Sequence, residues 1–252
     1  MSIGDAEIKT QERVIRFFKD PEILGYQYIG NLSDYQNKNI KEDRLRQYLR
    51  LKGYADKLID AAIMQLQQEA GNLSRGVYDA NKTVYSRLKY GIPVSESPEK
   101  PPVTVQLVDE EKPLNNDFAI AEEVTVVEQS EKRPDLVVYL NGIAVAVIEL
   151  KRSSISVSEG IRQNLTNQKN SFIQSFFTTM QFCMAGNESE GLRYGTLLTG
   201  EKFYMEWKDD GFKEHEEERD PVDVRISKTC EGIENKLLKQ IYAMFDKERF
   251  ID

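Results

Sequence analysis

The chain has 252 residues and a hydrophobic fraction of 40%, enough for one large domain or two small ones with a real core. Its formal net charge of −8, from 34 basic and 42 acidic residues, excludes a protein that binds nucleic acid over its whole surface; any such contact needs a local basic face or partner subunits. No run of apolar residues is long enough to span a bilayer, Met1–Glu7 lacks the basic start and apolar core of a secretion signal, and Cys183 and Cys230 stand far apart, as free thiols of a reducing cytoplasm do.

The first ninety residues read as helical. Ile8, Val14, Ile15 and Phe18 form one stripe, Leu45, Tyr48 and Leu49 a second, and Leu58, Ile59, Ala62, Ile63 and Leu66 a third; all read as core. The stretch Gly76–Thr83 has the outline of a phosphate-binding loop, but Asn81 stands where its second glycine belongs and no strand precedes it, so it is set aside. Pro93, Pro98, Pro101 and Pro102 mark a loop over 95–102, where the pattern turns from helical to β-rich. Strands are expected at about 103–108, 117–127, 135–140 and 143–150, then a helix over 157–170 and a short helix or turn over 172–177. A strand over 178–184 and a hairpin of 194–199 with 202–207 follow. Asp209–Asp220 reads as a charged loop, and Ile233, Leu237, Ile241 and Phe245 give a final helix over 230–245. His215, the only histidine, sits among four glutamates, which excludes His-rich metal sites and argues against a Ser-His-Asp triad.

Chemistry concentrates in one segment. Pro134-Asp135 opens an apolar strand, Asn141-Gly142 turns it, and Glu149-Leu150-Lys151 closes the next. Asn-Gly between two β-rich runs is a strong hairpin signal. Glu149 and Lys151 share a face, being two residues apart on a strand. Register decides where Asp135 falls. A two-residue turn would pair it with Ile148 and put the two acids on opposite faces; a three-residue loop with Gly142 in the left-handed region would pair it with Glu149, and is expected if the site is real. Two carboxylates so close stay ionised together only with a cation between them, and Mg²⁺ suits hard oxygen ligands and retained waters. Lys151 would orient the attacking water and offset charge on phosphate oxygens. The bland reading is a solvated ion pair at a strand end.

Pro134-Asp135 followed by Glu149-x-Lys151 resembles the PD-(D/E)xK metal-dependent nucleases. The longer set Asn115–Phe118, Arg133–Asp135, Leu140–Gly142, Ile148–Arg152, Glu159–Gln163, Ala185–Asn187, Leu192–Thr196, Glu201–Tyr204, Trp207-Lys208 and the amino-terminal Glu7-x-x-Thr10-Gln11 is similar to the amino-terminal nuclease domain of the R subunit of type I restriction–modification enzymes, often called HsdR. The resemblance implies an α/β fold: a restriction-endonuclease-like core with a mixed, mostly antiparallel sheet flanked by helices. It implies an amino-terminal helical portion over 1–95, a nuclease core over 96–215, and a carboxy-terminal helix over 216–252 leading towards a motor domain beyond this chain. It implies a type I site-specific deoxyribonuclease, cutting double-stranded DNA after ATP-driven translocation in a cytoplasmic complex with methylation and specificity subunits. ATP would serve only the full-length subunit. By the same resemblance Asp135, Glu149 and Lys151 are catalytic, and Asp135 and Glu149 hold Mg²⁺. Gln163 supplies the glutamine of a Gln-x-x-x-Tyr element whose tyrosine position is Asn167; Gln168 is the alternative substitute. Glu7 is the candidate for a further metal ligand from the first helix, ahead of Glu42, with Glu122 and Glu123 as possible neighbours. Arg152, Arg162, Gln163, Asn167 and Lys169 are candidate DNA contacts, the basic ones reading equally well as solvated surface. A docking or regulatory module with a vestigial site, and a stand-alone repair nuclease, are the competing readings.

Overall fold

The computed structural model describes residues 3–97, 99–208, 210–211 and 220–252, with side chains from Glu7 onward. Most of the expected loop over Asp209–Asp220, with His215 and its glutamates, lies outside the described residues, as do Met1, Ser2 and Pro98.

The long amino-terminal stripes form α1 (Ile3–Lys19), α2 (Glu42–Leu51), α3 (Asp56–Gly71) and α4 (Val77–Tyr90). The expected stripes on α1, α2 and α3 are buried except for Ile8, which lies in the first turns of α1 and is 56% exposed; Phe18 meets Tyr26 and Phe245 edge-on at 5.2 and 5.1 Å. One strand interrupts them: β1 (Gln27–Asn31). It is short, and Gly30 sits at a register shift with φ 111°, so no alternation betrays it in the sequence.

The remaining strands are β2 (Ile92–Val94), β3 (Val103–Val105), β4 (Phe118–Glu122), β5 (Val126–Val127), β6 (Glu131–Lys132), β7 (Leu136–Leu140), β8 (Ile143–Leu150), β9 (Phe182–Asn187), β10 (Gly191–Gly195) and β11 (Met205–Glu206). A seven-stranded sheet runs β1-β4-β7-β8-β9-β10-β11. It is mixed and mostly antiparallel, with β1·β4 and β8·β9 the parallel pairs. β2 pairs with β3 and β5 with β6 in separate ribbons.

Helices cover both faces. Leu136, Val138 and Leu140 point into the larger core with α1, α2, α3 and the carboxy-terminal helices, while Val137 and Tyr139 point into a second core with Phe176 and Phe177. Buried on both sides, β7 and β8 read as unbroken apolar runs. α5 (Val157–Asn167), capped by the Ser156 side chain, lies over β8 and β9. Gly160 permits this: a Cβ there would lie 2.9 Å from Ala185 Cβ and 3.4 Å from Glu149 Cβ. The carboxy-terminal helices are α6 (Pro221–Glu231), α7 (Lys236–Phe245) and α8 (Lys247–Ile251).

Several boundaries differ from expectation for visible reasons. The strand expected over 117–127 breaks at Glu123, whose φ is 51°. The stretch 174–179 is a 3-10 turn and β9 starts at Phe182, because Asn81 Nδ2 donates to the Thr178 and Met180 carbonyls and holds the turn. The expected final helix is two helices, divided where Asn235 caps α7. The hairpin expected over 194–207 has short strands, with a 3-10 turn at Glu201–Phe203 between them.

Candidate active site

Whether the acids meet depends on the β7–β8 hairpin. The turn has two residues, not three: Leu140 pairs with Ile143, and Asn141 and Gly142 have φ of 52° and 84°. Such a turn alone would have put the acids on opposite faces. The register is corrected further along. Tyr139 pairs with Ala144 and Val138 with Ala146, leaving Val145 as an extra residue on β8. This β-bulge turns Val145 and Ala146 into the same core, with Ala144 and Val147 on the other face. Leu136 then pairs with Ile148, and one step further sets Asp135 opposite Glu149. The expected pairing is present, and a bulge inside the strand produces it in place of a longer loop.

The turn is fixed from several directions. Asn141, fully buried, accepts from Asp117 N at 2.7 Å and donates to the Leu107 carbonyl and Asn116 Oδ1, both at 2.8 Å. The Gly142 carbonyl accepts from Lys41 N at 2.7 Å.

At the other end of the hairpin the polar groups converge. Asp135 Oδ2 accepts the Leu150 N–H at 2.7 Å. Glu149 is fully buried; its Oε2 accepts from Gln163 Nε2 on α5 at 2.7 Å, its Oε1 meets no N–H or O–H donor among the described residues, and its carboxyl lies within hydrogen-bond reach of Asp135. Lys151, tied to β9 through its N–H to the Gly186 carbonyl, directs Nζ to Glu7 Oε1 at 3.2 Å and to the Leu150 carbonyl at 3.0 Å. The first helix therefore reaches the site, with its glutamate on the lysine. Four residues on, on the same face of α1, Gln11 Nε2 donates to Glu122 Oε2 at 3.0 Å and Glu123 Oε1 at 3.1 Å. Glu123 N in turn donates to the Asp135 carbonyl at 2.8 Å.

Burial pushes the Asp135 carboxyl up to about 6, against the pull of Lys151 and of the Leu150 N–H; Glu123 and Glu7 push the same way as burial. Burial, then the neighbouring Asp135 charge, drives Glu149 well above the ordinary carboxylate range. Burial pulls Lys151 down, but the carboxylates of Asp135, Glu149 and Glu7 outweigh it and its pKa rises. A fully buried Glu149 facing a half-buried Asp135, each resisting ionisation beside the other, makes a donor set suited to a hard divalent cation. Among the described residues no group of three or more His, Cys, Asp or Glu side chains is arranged to hold a metal.

A family model described as the N terminus of the type I restriction enzyme R protein matches the chain over residues 7–203. The chain belongs to this family. No curated protein matches it. As an R-protein amino-terminal domain, it carries Glu7, Asp135, Glu149, Lys151 and Gln163 all within the matched span. No helix among the described residues is long and apolar enough to cross a membrane.

The other candidates separate. Beside the Asp135–Glu149 pair runs a groove of about 420 Å³ whose lining includes Lys132, Arg133, Lys151, Glu159, Arg162, Gln163 and Asn167. Of the candidate DNA contacts, Arg162, Gln163 and Asn167 line the groove, Asn167 with only 2% of its surface exposed, whereas Arg152 and Lys169 are not among its lining residues. Gln168 does not substitute for the missing tyrosine. It is buried away from the acids, accepting from Leu198 N at 2.7 Å and donating to Cys183 Sγ at 3.5 Å. Glu42 is engaged on α2 with Arg46 and Gln67, outside the site. Gln11 and Arg133 join the site without having been expected there: Gln11 is spaced from Glu7 as one helical face requires, and Arg133 directly precedes Pro134-Asp135.

Proposed function

We propose that this domain is the Mg²⁺-dependent endonuclease of a type I restriction enzyme R subunit. It hydrolyses phosphodiester bonds of double-stranded DNA once the subunit's ATP-driven motor has translocated the duplex, in a cytoplasmic complex with methylation and specificity subunits. In this reading residues 1–95 buttress a nuclease core over 96–215, and 216–252 lead towards the motor. The observation that carries it is the facing pair of half-buried Asp135 and fully buried Glu149, with one Glu149 oxygen that meets no N–H or O–H donor among the described residues and Lys151 beside it. Stability alone disfavours such a pair: a buried carboxylate without a partner costs free energy and packs no better than an apolar residue.

When bound, the cation would polarise the scissile phosphate and make a bound water acidic. The chain's own residues do the rest. The Leu150 N–H fixes the Asp135 carboxylate and Gln163 fixes Glu149, so both present their oxygens without reorganisation. The Lys151 ammonium, held charged by its three acidic neighbours, offsets the negative charge that builds on the phosphate oxygens and orients the incoming water. Base recognition falls to the specificity subunit.

Calorimetric titration of Mn²⁺ into the domain tests the reading. Binding is expected in the parent and lost in both Asp135→Ala and Glu149→Ala. Binding indifferent to both substitutions, with folding intact, would favour a docking module with a vestigial site.

A further inference from the structure

The groove beside Asp135 and Glu149 has two walls. α5 contributes Arg162, and the strand β6 with its link to β7 contributes Lys132 and Arg133. With Lys151, four cations and one acid, Glu159, line a small concavity in a chain whose net charge is −8. Three of the four are already engaged. Arg162 makes a two-pronged contact with Glu201, Nε to Oε2 at 2.9 Å and Nη2 to Oε1 at 2.8 Å, and reaches Glu159 at 2.7 Å. Arg133 Nε lies 2.9 Å from Glu123 Oε2, and Lys151 contacts Glu7. Lys132 alone of the four has no carboxylate partner among the described residues; its ammonium sits over the Phe172 ring at 4.7 Å.

Building on the nuclease reading, we propose that Lys132, Arg133 and Arg162 form the seat of the DNA phosphate backbone, and that Glu123 and Glu201 occupy the two arginines until phosphates displace them. A guanidinium that grips a carboxylate with two N–H groups presents the same fork to a phosphate. Exposed ion pairs of this sort exchange at little cost, so the carboxylates act as resident competitors rather than as a block. The arrangement keeps the domain's affinity for stray DNA low. Lys132, positioned by an aromatic ring and not by an acid, makes the first contact. Duplex supplied at high local concentration by the rest of the complex then exchanges the pairs and reaches the catalytic acids.

The test is metal-free binding of a short fluorescein-labelled DNA duplex to this chain by anisotropy over a salt series, with folding checked by circular dichroism. Glu201→Gln should tighten binding about fivefold, as expected from releasing one exposed pair. Glu231→Gln, the same charge change at an exposed site on α6, should have no comparable effect. Lys132→Ala and Arg133→Ala should each weaken binding and flatten the dependence of log K on log salt by about 0.9. The proposal is overturned if Glu201→Gln leaves affinity unchanged or lowers it, if Glu231→Gln matches it, if neither alanine variant alters affinity and slope, or if no sample binds duplex. Mn²⁺ calorimetry on the same samples separates the two readings. Metal binding through Asp135 and Glu149 with these failures removes the groove inference alone, whereas loss of metal binding strikes the nuclease reading itself.

Discussion

Replacing Asp135 by asparagine should make the metal-free protein more stable near neutral pH. In the folded chain the Asp135 carboxyl is raised to about 6 from an ordinary 3.8, mainly because it is buried. A raised folded value means that the native state holds its proton over a range where the unfolded chain has released it. Stability therefore falls as pH rises from about 4 to about 6, and the full loss persists above that. A shift of about 2 units at ~1.4 kcal/mol per unit is a penalty of about 3 kcal/mol at pH 7.5. For a chain of this size that corresponds to a melting midpoint lower by roughly 6–12 °C. Asparagine keeps an oxygen for the Leu150 N–H and removes the charge. The assay is thermal melting of parent and Asp135→Asn from pH 4 to 8 with a chelator present. The two should nearly coincide at pH 4 and separate towards pH 7.5, the variant melting higher, and Mg²⁺ should raise the parent alone. Parallel melting profiles across that range, or a parent that melts higher at pH 7.5 without metal, would refute the argument that burial of this carboxylate strains the fold.

Three further outcomes follow from the same structure. Gln163→Ala removes the donor to Glu149 Oε2. Mn²⁺ affinity measured by calorimetry should fall at pH 7 and recover in part at higher pH, as the more basic carboxylate ionises; a pH-independent loss would contradict this. Asn141→Ala deletes two buried hydrogen bonds and one part-buried one at a positive-φ position, and urea unfolding should register a loss of about 3–5 kcal/mol; a cost below ~1 kcal/mol would show that the turn is not held this way. Gly160→Ala gains roughly 1 kcal/mol of helix propensity but drives a Cβ against Ala185, so a net loss of up to about 2 kcal/mol in urea is expected, together with weaker Mn²⁺ binding as α5 and Gln163 shift; a more stable protein with unchanged metal affinity would count against the close approach.

The parts of the site that sequence exposed are those where one residue type in one place has few other uses. Asp135, Glu149 and Lys151 stand out as polar ends of apolar strands, and Asn141-Gly142 announces the turn between them. The side on which they meet was settled by Val145, and nothing in Ile-Ala-Val-Ala-Val-Ile marks which valine is the surplus one. A bulge between two cores costs no polar residue and leaves no signature. β1 was hidden for a similar reason: it takes its place in the sheet by pairing with β4, a contact made far along the chain, and not by any alternation of its own. Gln168 and Asn167 are adjacent in sequence but diverge in space, because the helix ends between them and Gln168 turns towards Leu198. The arginines were legible as charges. Their carboxylate partners were not, since Glu201 is distant in sequence from Arg162 and Glu123 reaches Arg133 from the bend that ends β4.

The surplus residue in β8 has a bearing on how such sites can be found in other chains. The number of residues between the aspartate and the glutamate is not what the chemistry constrains; what it constrains is parity, the even or odd count of steps once each bulge is subtracted. A relative with one residue fewer in the hairpin would need no bulge to bring its acids together. A relative with one more shares that parity and has its acids on one face without a bulge, but two residues out of step; bringing them directly opposite would take two bulges, or a turn lengthened by two and no bulge. A search pattern that fixes the spacing will discard true sites of this kind, and one that lets it float will admit hairpins whose acids face opposite layers. Pairing parity with the count of bulges in a structure sorts the two classes, and in this chain that sorting turns on Val145.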